Sequence, residues 1–195
     1  MDPFELLVQA HCPAMKAVLA RLIELFRAHD VRYAIGGANA LSLYARPRMT
    51  IDIDAFVDAA RKADVDRMLA ERFESVHLGR FHSKFRVDDV EIDILYAGAS
   101  AEDFALASAR DAVILGTPLK AASPEALLWL YLVSKNEQNA VDAVQLLRAQ
   151  AGIDVNLVRR ELERHDPDAL ARLDKTLSTA RQPTVSYEAS RASRS

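Results

Sequence analysis

Thr50-Ile51-Asp52-Ile53-Asp54-Ala55-Phe56-Val57 is the stretch on which the fold turns. Apolar and acidic residues alternate through it, and a period of two marks a β-strand. Residues two apart on a strand point the same way. Asp52 and Asp54 therefore share one face, while Ile51 and Ile53 turn to the other, toward a core. Two strand rises separate the carboxylates by about 6–7 Å. Anions that close repel unless water, a cationic side chain or a metal ion lies between them. Read alone, an Asp-x-Asp is the outward face of a half-solvated sheet; its neighbours on either side supply a second reading.

Downstream, Phe81, Phe85 and Val87 lead into Asp88-Asp89, and Val90, Ile92, Ile94 and Tyr96 follow in steps of two. This spacing predicts a β-hairpin. With Asp88-Asp89 as its central turn residues, Val87 faces Val90, Arg86 faces Glu91 and Lys84 faces Asp93. Ile92-Asp93-Ile94 then repeats the pattern of the first acidic strand. Asp52, Asp54 and Asp93 on neighbouring strands make an oxygen-rich set of the kind Mg²⁺ uses when it also carries substrate phosphates. Two such ions can stabilise both the attacking and the leaving oxygen in phosphoryl or nucleotidyl transfer. Glu91, nearer the turn, reads as a solvent-facing partner of Arg86. Arg80, His82, Lys84 and Arg86 share the acidic face, either as cross-strand ion pairs (Lys84 to Asp93, Arg86 to Glu91) or as a patch for a polyanion. His77 and His82 lack a second ligand at metal spacing, so neither is read as a zinc site.

Upstream, Val31 to Ile35 is a short strand running into Gly36-Gly37, and Ala38 to Tyr44 reads as a helix. Glycines at a strand-to-helix junction let backbone N–H groups approach a phosphate, although a glycine pair also marks an ordinary tight turn. Arg46 and Arg48 precede the acidic strand, either as contacts to a triphosphate or acceptor or as surface arginines of a loop. Thr50 fixes the entry to the strand.

Taken together, Gly36-Gly37-Ala-Asn-Ala, Arg46-Pro-Arg-Met-Thr50, Asp52-Ile-Asp54 and the later Asp93 resemble the nucleotidyltransferase fold of the DNA polymerase β superfamily. The variant looks most like the small bacterial proteins of the AbiEii-type nucleotidyltransferase toxin group, with aminoglycoside and lincosamide nucleotidyltransferases as more distant relatives. The likeness covers residues 30–120 and, in architecture only, the helical remainder. It implies an α+β fold, a short mixed sheet flanked by helices and followed by a helical module. It implies Gly36 and Gly37 at the triphosphate; by their position beside the acids, Arg46, Arg48 and Lys84 are read as completing the nucleotide-binding set. Asp52 and Asp54 become Mg²⁺ ligands, and Asp93 both a ligand and the base for the acceptor hydroxyl.

The implied activity is transfer of an NMP from an NTP to a hydroxyl on an RNA 3′ end (tRNA or another RNA), a protein or a small molecule, using two Mg²⁺. A toxin role with an antitoxin partner protein goes with the resemblance. One departure stands out. Members of that group carry a Lys in the apolar run of the first C-terminal helix, then an Arg-x-Lys-Asp segment. Here Tyr131 stands in place of the Lys and Asn139 in place of the Asp, with Lys135 about a turn beyond Tyr131 as a substitute. That departure supports a second reading, a non-catalytic NTP-sensing or partner-binding protein on the same scaffold. A metal-dependent phosphohydrolase is weaker, for want of paired histidine ligands.

The rest of the chain fills in around these motifs. Met15, Val18, Leu19, Leu22, Ile23, Leu25 and Phe26 predict an amphipathic helix over Pro13 to His29, broken by Asp30. Asp58 to Phe73 reads as a helix capped by Asp58, Ala101 to Arg110 as a short helix and Ala112 to Leu115 as a short strand. Ser123-Pro124-Glu125 is a helix start, followed by helices near 124–134, 138–150, 154–164 and 167–179, with Gly152 as a stop and Trp129 in the core. The plan is an α/β module over 1–120, a helical module over 121–180 and a disordered tail over 181–195.

Half of the 195 residues are hydrophobic and 27% are charged, which excludes a disordered or collagen-like chain. With 25 basic against 28 acidic residues the formal charge is -3, so no global field draws the chain to nucleic acid or to a membrane. The single Cys12 cannot form an internal disulfide and reads as a small apolar residue on or before the first helix. The N-terminus lacks the basic start of a secretory signal, and no apolar run reaches the roughly 18 residues of a membrane span. The expectation is a cytoplasmic protein with no membrane partner.

Overall fold

Val18, Leu19, Leu22, Ile23 and Phe26 recur on one side of the first helix, and all are buried. In the computed structural model, which describes residues 3–98, 100–134 and 136–183, that helix is α1 (Pro3–Ala28). It begins well before the expected Pro13; this proline, a residue suited to a helix start, sits inside the helix instead. Asp30 stops it with a left-handed backbone, φ +50°.

The chain then forms β1 (Tyr33–Ile35), α2 (Gly37–Leu41) and β2 (Asp52–Asp58). Ile51 corrects an expectation. It lies just before the strand and is 52% exposed, and only its carbonyl joins the sheet, accepting from Glu91 N at 3.0 Å. A 3-10 turn (Ala59–Arg61) is capped by the Asp58 carboxylate, which accepts from Ala60 N at 2.8 Å. Next come α3 (Lys62–Ala70), β3 (Glu74–Leu78), β4 (His82–Val87), β5 (Val90–Ala97), α4 (Ser100–Ala107), β6 (Arg110–Ile114) and β7 (Thr117–Ala121).

The seven strands form one mixed sheet in the order β3-β4-β5-β2-β1-β7-β6. β2 runs parallel to β5 and β1 parallel to β7, and the other pairs are antiparallel. The β4–β5 hairpin has the register expected of an Asp88-Asp89 turn: Val87 faces Val90, Arg86 faces Glu91 and Lys84 faces Asp93. Asp88 takes the positive φ, +50°, that such two-residue turns require. β3 and β7 are strands the sequence does not announce. Every residue of β3 is exposed, so it has no apolar face, and β7 contains Pro118.

One face of the sheet buries Ile53, Ala55 and Val57 of β2 against Ile92, Ile94 and Tyr96 of β5. α1 and α3 cover that face, α3 contributing Val65, Met68 and Leu69. The other face carries Asp52, Asp54 and Phe56 beside Glu91, Asp93 and Leu95, and meets α4 and the helices that follow.

Those helices are α5 (Pro124–Val133), α6 (Glu137–Ala149), α7 (Val155–His165) and, after a 3-10 turn at Pro167–Ala169, α8 (Leu170–Arg181). Ser123 caps α5, accepting from Ala126 N at 3.2 Å, and Pro124 follows at the first position. α5 is the central helix of this part, with eight of its ten residues buried. Among them, Trp129 donates its indole N–H to Asp166 at 2.8 Å. From residue 184 onward the expected tail lies outside the described residues, as does Lys135.

Candidate active site

Parallel pairing of β2 with β5 sets the acids in rows. Asp52 is level with Glu91, Asp54 with Asp93, and Phe56 with Leu95. The in-register Asp54 and Asp93 place two like charges on adjacent strands, with Asp52 on the same face. Burial, then the charges of Asp52 and Asp93, push the Asp54 carboxyl up to about 7. Arg48 and Lys84 act in the opposite direction and do not cancel the effect.

The glycine turn is shaped around this acid. Gly37 has φ +54°, and the space its side chain would fill is taken by the Asp54 carboxyl. The Phe56 ring likewise fills the space beside Gly36. Gly36 N donates to Asp54 O at 2.9 Å, and the buried Asn39 of α2 donates from its side chain to Asp52 O at 2.8 Å. Two glycines and an asparagine thus bind the turn to the acidic strand. Asn39 was already visible in Gly-Gly-Ala-Asn-Ala, as a polar residue among small apolar ones.

The helical part reaches the same place. Arg48 Nε lies 3.0 Å from the fully buried carboxylate of Asp142 on α6, and Gln138 Nε2 donates to the other oxygen of that carboxylate at 2.9 Å. Asp142 is the residue that sequence reasoning missed, because nothing local to α6 shows that its partner is almost a hundred residues away. Tyr131 donates its hydroxyl to Gly37 O at 3.0 Å, tying α5 to the glycine turn. Burial raises this phenol above its usual range, with the negative charge of Asp142 adding to it.

A cleft of about 360 Å³ lies between the acidic face and α5–α6. Gly37, Arg48, Asp52, Asp54, Tyr131 and Asn139 line it, together with apolar residues from both sides. Asp93 and Lys84 stand on the neighbouring strands outside this lining, and Arg46 is exposed in its loop. Lys84 does not pair with Asp93 alone. Its ammonium is 2.6 Å from Glu91 and 3.5 Å from Asp93, while Arg86 also holds Glu91 at 3.2 Å. His82 Nε2 meets Asp93 at 2.7 Å.

The donor set suits a divalent cation in kind. Its acids are oxygen ligands, and the crowding that raises Asp54 is what a positive ion would relieve. As the side chains stand, no three acidic, histidine or cysteine groups converge on one point among the described residues. The hydrogen bond from Thr50 to Asp52 and the pairing of Asp93 with His82 and Lys84 engage the other two acids.

No family model matches the chain, and no curated protein matches it. Solved structures do. The antibiotic-resistance factor ANT(2'')-Ia in solution superposes with a TM-score of 0.62 at 17% identity, over 84% of this chain and 96% of that one. The chain has the nucleotidyltransferase fold. The crystal structure of ANT(2")-Ia in complex with adenylyl-2"-tobramycin gives 0.59 at 16% identity, over 83% of this chain and 98% of that one. The lincosamide antibiotic adenylyltransferase LnuA, bound to lincomycin, gives 0.50 at 18% identity, over 66% and 94%. At such identities the shared property is the nucleotidyltransferase fold itself, the mixed sheet with its flanking helices.

Proposed function

We propose that this chain is a nucleotidyltransferase that moves an NMP from an NTP to an acceptor hydroxyl and releases pyrophosphate. The observation that carries the reading is the row of Asp54 and Asp93, with Asp52 beside it, against a glycine turn shaped to the Asp54 carboxyl. Gly36 and Gly37 receive the triphosphate, and Arg48, held by Asp142, meets its charge. Arg46 stands in the loop beside it, and Lys84 reaches phosphate on release from Glu91. Asp52, Asp54 and Asp93 would hold Mg²⁺. When bound, the ion neutralises and orients the phosphates. Asp93 takes the proton of the acceptor hydroxyl as its oxygen bonds to the α-phosphorus and the bond to pyrophosphate breaks.

The α/β module over 1–120 binds the nucleotide in this account, and the helical module over 121–180 closes the cleft. The AbiEii-type resemblance supports an RNA 3′ end, such as that of tRNA, or a protein as acceptor, a toxin role and an antitoxin partner. The structures holding adenylyl-2"-tobramycin and lincomycin support a small-molecule acceptor. Among the described residues no helix is long and apolar enough to cross a membrane, and we place the chain in the cytoplasm.

A specific observation favours the second reading, an NTP sensor. Tyr131 replaces the lysine of the related group, and its hydroxyl is spent on Gly37 O. Calorimetric titration with each NTP and Mg²⁺, followed by a pyrophosphate assay with RNA, lysate protein and small-molecule acceptors, separates the two. Binding with pyrophosphate release supports the enzyme; tight binding without release, whatever the acceptor, supports the sensor.

A further inference from the structure

We infer that Glu102 marks a nucleobase subsite at the far end of the cleft, where its carboxyl accepts a hydrogen bond from a base N–H. The inference rests on the nucleotidyltransferase reading above and adds the part of the nucleotide that the acids and glycines do not touch. Beyond the Asp54–Asp93 row, the same sheet face continues with Phe56 and Leu95, about 6–7 Å further along the strands. Leu127 and Leu130 of α5 line the cleft with them. This end is therefore apolar on both the sheet side and the helix side, which suits a planar ring and offers nothing to a phosphate.

Glu102, from the first turn of α4, is the acid at this end of the lining. Its Oε2 is buried and has no hydrogen-bond partner among the described residues. A buried oxygen without a donor is an unsatisfied group, and such groups are rare unless a ligand or water completes them. Glu102 lines the cleft, and half a turn of the carboxyl exchanges its two oxygens. A carboxylate repels a phosphate but accepts from the amino or ring N–H groups of a base. One nucleotide with its phosphates between Gly37 and Arg48 thus extends its base along the apolar slot toward Glu102.

Binding of ATP, CTP, GTP, UTP and inorganic tripolyphosphate, each with Mg²⁺, to wild type, Glu102→Ala and Glu102→Gln tests this. Wild type should prefer one or two of the four NTPs over the others. Glu102→Ala should bind the preferred NTP about tenfold less tightly or worse, and the preference should narrow. Its affinity for tripolyphosphate, which has no base, should stay unchanged. Glu102→Gln, which keeps an acceptor oxygen, should fall between. Unchanged NTP affinity and preference in Glu102→Ala would overturn the subsite and leave the nucleotidyltransferase reading standing. An equal loss for NTP and tripolyphosphate would make Glu102 a structural residue and overturn it too. Wild-type protein that binds no NTP would overturn both.

Discussion

Asp54 is the residue on which the site's electrostatics converge. Its carboxyl titrates near 7 in the fold against a usual 3.8, chiefly through burial and then through Asp52 and Asp93. Between those values the folded protein holds a proton that the unfolded chain has lost, so stability falls as pH rises through this window. Without metal, the melting temperature should decline from pH 5 to pH 7.5. Asp54→Asn, which cannot ionise, should flatten that slope when both proteins are followed by thermal unfolding. Saturating Mg²⁺, which favours the ionised form of the acid it binds, should shrink that decline. Gly37 is the counterpart on the turn. Gly37→Ala places a side chain at φ +54° and into the Asp54 carboxyl, so it should cost about 1–3 kcal/mol in chemical denaturation. A wild-type midpoint would mean that the carboxyl gives way freely.

At the scale of elements, β2 and the β4–β5 hairpin were legible because each has a buried and an open face. Alternation of Ile with Asp fixed their register, and the turn at Asp88 follows from the two acids between apolar runs. β3 has no buried face and β7 carries Pro118, so neither leaves a period for a reader to find. Ile51 shows the limit from the other side: its alternation is intact, yet the strand starts one residue later. The tie between Arg48 and Asp142 was out of reach for a different reason, since pairing across distant elements has no local pattern. It carries its own prediction. Asp142 is fully buried whereas Arg48 is about one-third exposed, so removing the arginine strands a buried anion with only Gln138. Arg48→Met should therefore destabilise the fold more than Asp142→Asn does, by roughly 3 kcal/mol, read from urea unfolding of both variants. Equal losses would show that the buried carboxylate is neutralised some other way.

The whole molecule places two surfaces of different origin against each other. The open sheet face brings the acids, and α5 and α6 bring Tyr131, Asn139 and the support for Arg48. A total charge of -3 says little about this, because Arg48, His82 and Lys84 lie near Asp54 and Asp93. The Gly-Gly, Asp-x-Asp and third-acid pattern was enough to read the fold, since three motifs on successive elements constrain topology. The cleft was not readable, because its second wall is a helix whose residues look like any buried helix. Nucleotidyl transfer is the proposed work of Asp52, Asp54 and Asp93. The most direct measurement is incorporation of label from each α-labelled NTP into total RNA, lysate protein and small acceptors, with Mg²⁺, by wild type and by Asp52→Ala/Asp54→Ala. Wild type should yield labelled acceptor and the double variant none, while keeping its fold. Undiminished labelling by the double variant would contradict it.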